Sequence, residues 1–385
     1  MNKENRLTLE RHTGEGCWPD LQQELLLRAA LLQGKLALAA WEEWRSYVDI
    51  DDIDEGSYRL LPLLYRNLSR LGVKDPVMHQ LKGTYRLTWY KNQTLFHHMA
   101  SLVRSFHAHG LETLILKGAA LAPLYYKDCG VRPMADFDVL VHTEKALPAI
   151  DLLRKEGWKP KDFEPTEHYI SLRHSHGFED EADREFDLHW HVLSECCQST
   201  ADSDFWAGAI PLNINGVSTR ALNPADQLLH ICVHGMKWES VPTIRWVSDA
   251  VVILNSSFSE IDWDRLIEQA RKRRLILPVR NALHYLQTSL EAPVPMEVLR
   301  KIREMPVSRI ENFEYKTKDR PPTLLTDLWQ LWCQHSRMTE TASLWGRIVR
   351  LPGFFQHIWR LKHLWEVPFY MFYRVVKKYG STREQ

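Results

Sequence analysis

The run Asp136-Phe137-Asp138-Val139-Leu140-Val141 leaves a chain few ways to fold. Its apolar half is short, β-rich and bounded, the pattern of a buried strand over 137–141. On a strand the side chains alternate, so Asp136 and Asp138 take one side while Phe137 turns into the core. Two carboxylates side by side repel each other unless a cation lies between them. Hard oxygen ligands in that arrangement select magnesium or manganese. The competing reading is a strand end carrying two solvated aspartates, because a bare D-x-D is only a hypothesis.

A third carboxylate comes from Glu185-Phe186-Asp187-Leu188-His189. If 137–141 and 185–193 are neighbouring strands, Asp136, Asp138 and Asp187 converge, as they do where paired metal ions surround a nucleoside triphosphate. Asp187, His189 and His191 share one strand face. Asp187 would complete the metal site and assist deprotonation of an acceptor hydroxyl. His189 would bind the leaving group or acceptor, or orient Asp187. The histidines also admit a plainer role in a hydrogen-bonded strand, and His174, His176, His189 and His191 together form a rival zinc set.

Around these strands the periodicity is helical. Leu21, Leu25, Leu26, Ala29 and Leu32 predict a helix over 20–45, and a longer one runs over 76–109 to Gly110. The texture changes at Leu111. Thr113 to Leu116 reads as a strand, Gly118 to Tyr126 as a helix, and 144–156 as a helix capped by Thr143. Tyr169–Phe178 and Glu185–Leu193 read as further strands. The resulting order β-α-β-α-β-β predicts a small mixed sheet with helices on one side. Helical periodicity resumes after Asn223-Pro224, a cap followed by a first-turn proline. The expected fold is α+β: an N-terminal helical region over 1–110, a mixed-sheet core over 111–222 and a C-terminal helical region over 223–385.

Lys117-Gly118 joins the first strand to its helix. Glycine there allows close approach to a phosphate at a helix N-terminus, and Lys117 would face the same phosphates or lie on the surface. Arg132 would anchor the triphosphate, neutralise the acidic cluster or make a loop salt bridge. Neither a P-loop nor a dinucleotide fingerprint competes.

Composition narrows the partners. Lys plus Arg equals Asp plus Glu at 49 each, which argues against a nucleic-acid partner. Six cysteines without a C-x-x-C pair give neither a zinc framework nor a disulfide scaffold, and fit a reduced, cytoplasmic compartment. The N-terminus has no signal-type apolar run, and no stretch is apolar enough to span a bilayer.

Three segments together resemble a known family. They are Leu114-Ile115-Leu116-Lys117-Gly118-Ala119-Ala120-Leu121, Arg132-Pro133-Met134-Ala135-Asp136-Phe137-Asp138 and Phe186-Asp187-Leu188-His189-Trp190. The family is that of the nucleotidyltransferase-fold proteins, within them the bacterial branch called nucleotidyltransferase family 5. Gly118-Ala119 stands where the wider superfamily has glycine followed by Gly or Ser. More weakly, the resemblance reaches Leu229–Gly235 and Arg245–Ala250, making His234, Arg245 and Asp249 second-tier site residues or interhelix hydrogen-bonding groups. It implies transfer of a nucleoside monophosphate from an NTP, with ATP the favoured donor, to a small-molecule or protein acceptor, with release of pyrophosphate. Asp136, Asp138 and Asp187 would hold two Mg2+ (or Mn2+) ions, and Lys117, Gly118, Arg132 and His189 would bind the nucleotide.

Two alternatives from other classes stand beside it. One is a catalytically silent nucleotide-binding or scaffolding protein. The other is a membrane-associated assembly factor, based on the aromatic and basic stretch from Phe354 through Tyr373, which has the texture of an interfacial helix or of one packed on its own domain.

Overall fold

The computed structural model describes residues 16–381 except 240, 319, 340 and 341. Its centre is a mixed sheet of β1 (Leu114–Leu116), β2 (Asp138–Leu140), β3 (Lys159–Pro160), β4 (Ser175–Glu179), β5 (Glu185–His189), β6 (Ile210–Ile214) and β7 (Val217–Ala221). The strands lie in the order β3-β4-β5-β2-β1-β7-β6. β2 runs antiparallel to β1 and parallel to β5, and β1 runs parallel to β7.

The alternation of side chains divides the core in two. Ile115, Val139, Phe178, Phe186 and Leu188 pack on one face against Phe96, Met99 and Phe106 of the long helix Met78–Ala108 and against Ile150 and Leu153 of the helix Ala146–Lys155. Leu114, Leu116 and Leu140 face the other way. They meet a helical mass in which Leu26, Leu27 and Leu64 from the N-terminal part share one core with Leu228, Val247, Ala250 and Leu283 from the C-terminal part. Helices therefore cover both faces of the sheet, not one as the strand order predicts. The sheet carries apolar side chains on both sides, and each must be removed from water.

Several expected elements shift for local reasons. The helix expected over 20–45 is two, Leu21–Leu31 and Gly34–Tyr47, broken where Gly34 takes a φ of +56°. The strand expected from Tyr169 begins only at Ser175. Thr166 caps a helix over Glu167–Leu172, and the Trp190 indole donates to the carbonyls of Ile170 and Arg173 at its end. Thr143 caps nothing; its hydroxyl donates to the carbonyl of Trp190. The strand expected through Leu193 ends at His189, and the one expected over 137–141 is assigned only over 138–140. The hairpin β6–β7 was not anticipated, although Asn215-Gly216, with φ of +46° and +84°, is the turn that such hairpins require. Asn223 and Pro224 start the helix Pro224–Gly235 as their residue types predict. Among the described residues, no helix is long and apolar enough to cross a membrane.

One buried ion pair ties the loop ahead of β2 to the helix Arg245–Ser256. Arg132 donates from Nε and Nη2 to the two oxygens of Asp249, at 2.7 and 2.8 Å, and Tyr126 donates to Oδ1 at 2.8 Å. Both charged side chains are buried. Removing one partner of such a pair leaves the other charge uncompensated. Asp249→Ala is therefore expected to lower unfolding free energy by about 3–5 kcal/mol in urea denaturation, and a loss within about 1 kcal/mol would contradict this role.

Candidate active site

The parallel pairing of β2 with β5 sets Asp138 directly opposite Asp187 and Leu140 opposite His189. Residues opposed in a ladder project to the same face. Both carboxylates and the imidazole therefore lie on the Leu114/Leu116/Leu140 side, beneath the helical mass. One ligand atom from each of Asp138, Asp187 and His189 lies within 4.8 Å of the others, a group that could hold a metal ion.

Asp138 is buried, and its charge is compensated twice at a single oxygen. The Lys117 ammonium lies 2.6 Å from Oδ1 and His189 Nε2 lies 2.9 Å from the same atom. Burial pushes this carboxyl up, but Lys117 and His189 outweigh it and hold the group well below the usual carboxylate range. The converse holds for Lys117: burial works against its charge, and Asp138 lifts it above the ordinary lysine value. The Lys117 backbone takes a left-handed φ of +47° at the strand–helix junction. That conformation costs a non-glycine residue on the order of 1–3 kcal/mol and persists where surrounding structure enforces it.

Asp136 sits before the strand and is exposed at the cleft mouth, outside the close group of Asp138, Asp187 and His189. It still feels the site. Partial loss of hydration, then the like charges of Asp138 and Asp187, raise its carboxyl above the ordinary value, against Lys117 and Arg245. Asp187 is half-buried, and Gly177 lies opposite it on β4. A Cβ at Gly177 would come 3.2 Å from Asp187 Oδ1.

Gly118 is used differently from expectation. A Cβ there would overlap Arg132 Nη1 and crowd Met134 Sδ at 2.8 Å, so the glycine makes room for the guanidinium that Asp249 holds. The four histidines of the rival zinc set do not come together. His176 pairs with Leu188, on the opposite face, and its Nε2 lies 2.8 Å from the Lys161 carbonyl. His191 Nδ1 lies 2.6 Å from Asp202. Only His174 stays beside His189, at 5.4 Å between ring centres.

A cleft of about 950 Å³ opens beside Asp138 and is bordered by Lys117, Gly118, Arg132, Asp136, Asp138 and Arg245; Asp187 and His189 do not border it. Its walls carry both signs of charge, Arg59, Lys91 and Arg184 alongside Glu55, Asp183 and Glu185, with Arg59 paired to Glu55 and Arg184 to Asp180. Arg245 donates to the Pro133 carbonyl at 3.1 Å; burial and the neighbouring Arg132 pull its guanidinium down to about 10. An adjoining space of about 280 Å³ is bordered by Lys117, His230, His234, Arg245 and Asp249. His234 opens onto it while most of its surroundings are protein. Burial there, with Lys237 and Lys117 nearby, lowers it to about 4.

A further cavity of about 670 Å³ is bordered by Arg173, His174, Glu195, Lys237, Lys318 and Arg374. A narrow gap flanked by Lys117, His174, His189, Glu195 and Lys237 separates it from the acidic group.

Sequence reasoning missed Asn92, which is fully buried. Its amide donates to the carbonyls of Cys129 and Arg132, at 2.6 and 2.8 Å, and so fixes the loop that delivers Arg132. The signal was a polar residue at helical spacing between Thr88 and Phe96, both buried. It also missed the buried Glu195, which accepts from Lys318 at 2.9 Å.

A family model described as "Uncharacterised nucleotidyltransferase" matches residues 57–291, more than half of the chain. No curated protein matches significantly. Among solved structures, the crystal structure of an antigenic nucleotidyltransferase-like protein from Paracoccidioides brasiliensis is similar over 53% of this chain and 95% of its own. Its identity is 15% and the TM-score 0.35, which bear no weight.

The charge state of Asp138 sets an acid dependence. A carboxyl depressed in the folded protein contributes stability that is complete above its unfolded value, about 3.9, and is lost as pH falls toward the folded value. Between pH 6 and pH 3 the stability advantage of the wild type over Asp138→Asn should shrink by about 1 kcal/mol. Parallel urea melts across that range measure it, and a constant difference would mean that Asp138 is not held ionised.

Proposed function

The chain belongs to the family of uncharacterised nucleotidyltransferases whose model spans residues 57–291, and from that premise we propose that it moves a nucleoside monophosphate from an NTP to an acceptor and releases pyrophosphate. ATP is the first donor to test. The observation that carries this reading is the register of β2 on β5, which sets the carboxylate of Asp187 beside that of Asp138, a residue that borders the cleft together with Lys117, Arg132 and Arg245.

The donor set fits a divalent cation. Two carboxylates on paired strands face one way, and the position next to Asp138 is already taken by a positive group, the ammonium of Lys117. Asp138 and Asp187, with Asp136 above them, would hold Mg2+ or Mn2+, which would supply neutralising charge to the triphosphate when bound. The remaining work falls to the chain. Arg132 and Arg245 line the cleft with fixed positive charge for the phosphates, and Lys117 stands between Asp138 and the cleft, within reach of either. His189 holds Asp138 in place through Oδ1. Asp187 has no side-chain hydrogen bond to Lys117 or His189, which leaves its carboxylate available to take the proton of an acceptor hydroxyl.

In-line displacement requires the acceptor to approach from the side away from the leaving pyrophosphate. On this reading the acceptor would come from the cavity beyond His189 and His174, across the narrow gap that separates it from the acidic group. Six Lys and Arg residues line it against three acids, Glu195, Glu314 and Asp327, so it suits a small molecule or protein segment that presents an acidic group.

Incubation with Mg2+ and each of the four NTPs, reading pyrophosphate and the mass added to candidate acceptors, tests the reading directly. Asp138→Asn and Asp187→Asn should each lower turnover by about three orders of magnitude, the loss that accompanies several kcal/mol of charge stabilisation. A folded Asp136→Ala variant with full activity would remove Asp136 from the metal set. Nucleotide binding without pyrophosphate release under any acceptor would make this a binding protein instead.

A further inference from the structure

The last two helices carry more exposed apolar surface than a water-soluble domain needs. Phe354, Phe355 and Ile358 of the helix Leu344–Ile358 pack with Val367 and with Leu172 of the core, which anchors the pair to the rest of the protein. Their outer sides are different. Trp345 is 76% exposed and Val349, one turn on, 74%. Trp365, Phe369, Phe372 and Val376 are between 53% and 70% exposed. Steps of four, three and four place these four residues in a single stripe at and along the helix Glu366–Ser381. Apolar stripes of this kind on a folded surface mark a contact with something else.

Charge identifies the occupant. The whole chain is balanced, yet residues 344–381 hold seven Lys and Arg against one acid, Glu366. Arg350, Arg360 and Lys362 are exposed, Arg360 lying over the Phe163 ring, while Arg374 is paired with Asp327. A two-fold contact with a second copy would set this cationic surface against itself, which electrostatics opposes. Aromatic side chains interleaved with Lys and Arg are instead the composition of elements that lie in the headgroup region of an anionic bilayer. Neither helix is long and apolar enough to cross a membrane, so the contact lies in the plane of the surface.

We propose that the helices Leu344–Ile358 and Glu366–Ser381 form a docking surface for anionic membranes, with Trp345, Trp365, Phe369 and Phe372 entering the interface. The docking surface is distinct from the acidic group on β2 and β5 and does not depend on the reaction proposed above. One geometric link exists: Ile358, Tyr370 and Arg374 of the same helices, with Trp359 just after the first, also border the second cavity. A docked protein would thus hold that cavity close to the lipid surface.

Flotation of the full chain with vesicles of phosphatidylcholine alone, or mixed with phosphatidylglycerol, tests the proposal. The wild type should float with the anionic vesicles at least about tenfold more than with the neutral ones, and raised salt should weaken the association. Phe369→Ser/Phe372→Ser should lose most of this binding with an unchanged thermal melt, because both side chains are exposed. Arg350→Glu/Lys362→Glu tests the charge separately and should reduce binding to anionic vesicles alone. Absence of the wild type from anionic vesicles, or a double phenylalanine variant that floats as well as wild type, would overturn the proposal. Self-association abolished by the same variant, without vesicle binding, would assign the surface to a second copy.

Discussion

A carboxylate removed from water must be matched by positive charge or hydrogen-bond donors, and Asp138 is buried at the start of a central strand. Lys117 and His189 converge on one of its oxygens, each delivered by a different strand end. The parallel pairing of β2 with β5 and the depressed carboxyl are two expressions of one requirement.

The helical regions act on that site from a distance. Asn92 of the long helix holds the carbonyls of the loop before β2. Arg132 of the same loop is gripped by Asp249 and made room for by Gly118. A loop pinned from both sides cannot drift, and pre-organised groups lose less on meeting a charged ligand. Helices from both ends of the chain share a single core over the acidic face. The cleft walls are therefore parts of the fold and not appended lids. The family match over 57–291 covers the pieces that make this arrangement, from the first cleft-wall helices to the helix carrying Asp249.

Much of this was legible beforehand, and the exceptions have physical causes. The helices Met78–Ala108 and Pro224–Gly235 were readable because apolar spacing and caps are local properties of the chain. The segment from Tyr169 reads as a strand but its first part belongs to the helix Glu167–Leu172, since the capping Thr166 and the indole of Trp190 decide between two forms that apolar spacing alone cannot separate. The hairpin at Asn215-Gly216 has a local signal in the sequence, the Asn-Gly pair with positive φ at both residues. At the site, Asp138, Asp187 and His189 were named from alternation within strands. The partnership of Lys117 with Asp138 was not, because it joins two strand ends that only the pairing of β1 with β2 brings together.

What the sequence determined by itself is the chemical inventory and its local facing: carboxylates every second residue on strands, glycine between strand and helix, and a cationic, aromatic C-terminal stretch. Periodicity of two or 3.6 residues fixes which side chains share a face, and needs no knowledge of the rest of the chain. Tertiary structure alone decided which strand lies beside which, and hence that residue 187 sits opposite residue 138 while residue 136 stays at the cleft mouth. It also decided that Arg132 belongs to Asp249. Pairings between residues 49 and 117 positions apart are settled by burial and packing of the whole, where removing apolar surface and satisfying buried charge must be achieved together.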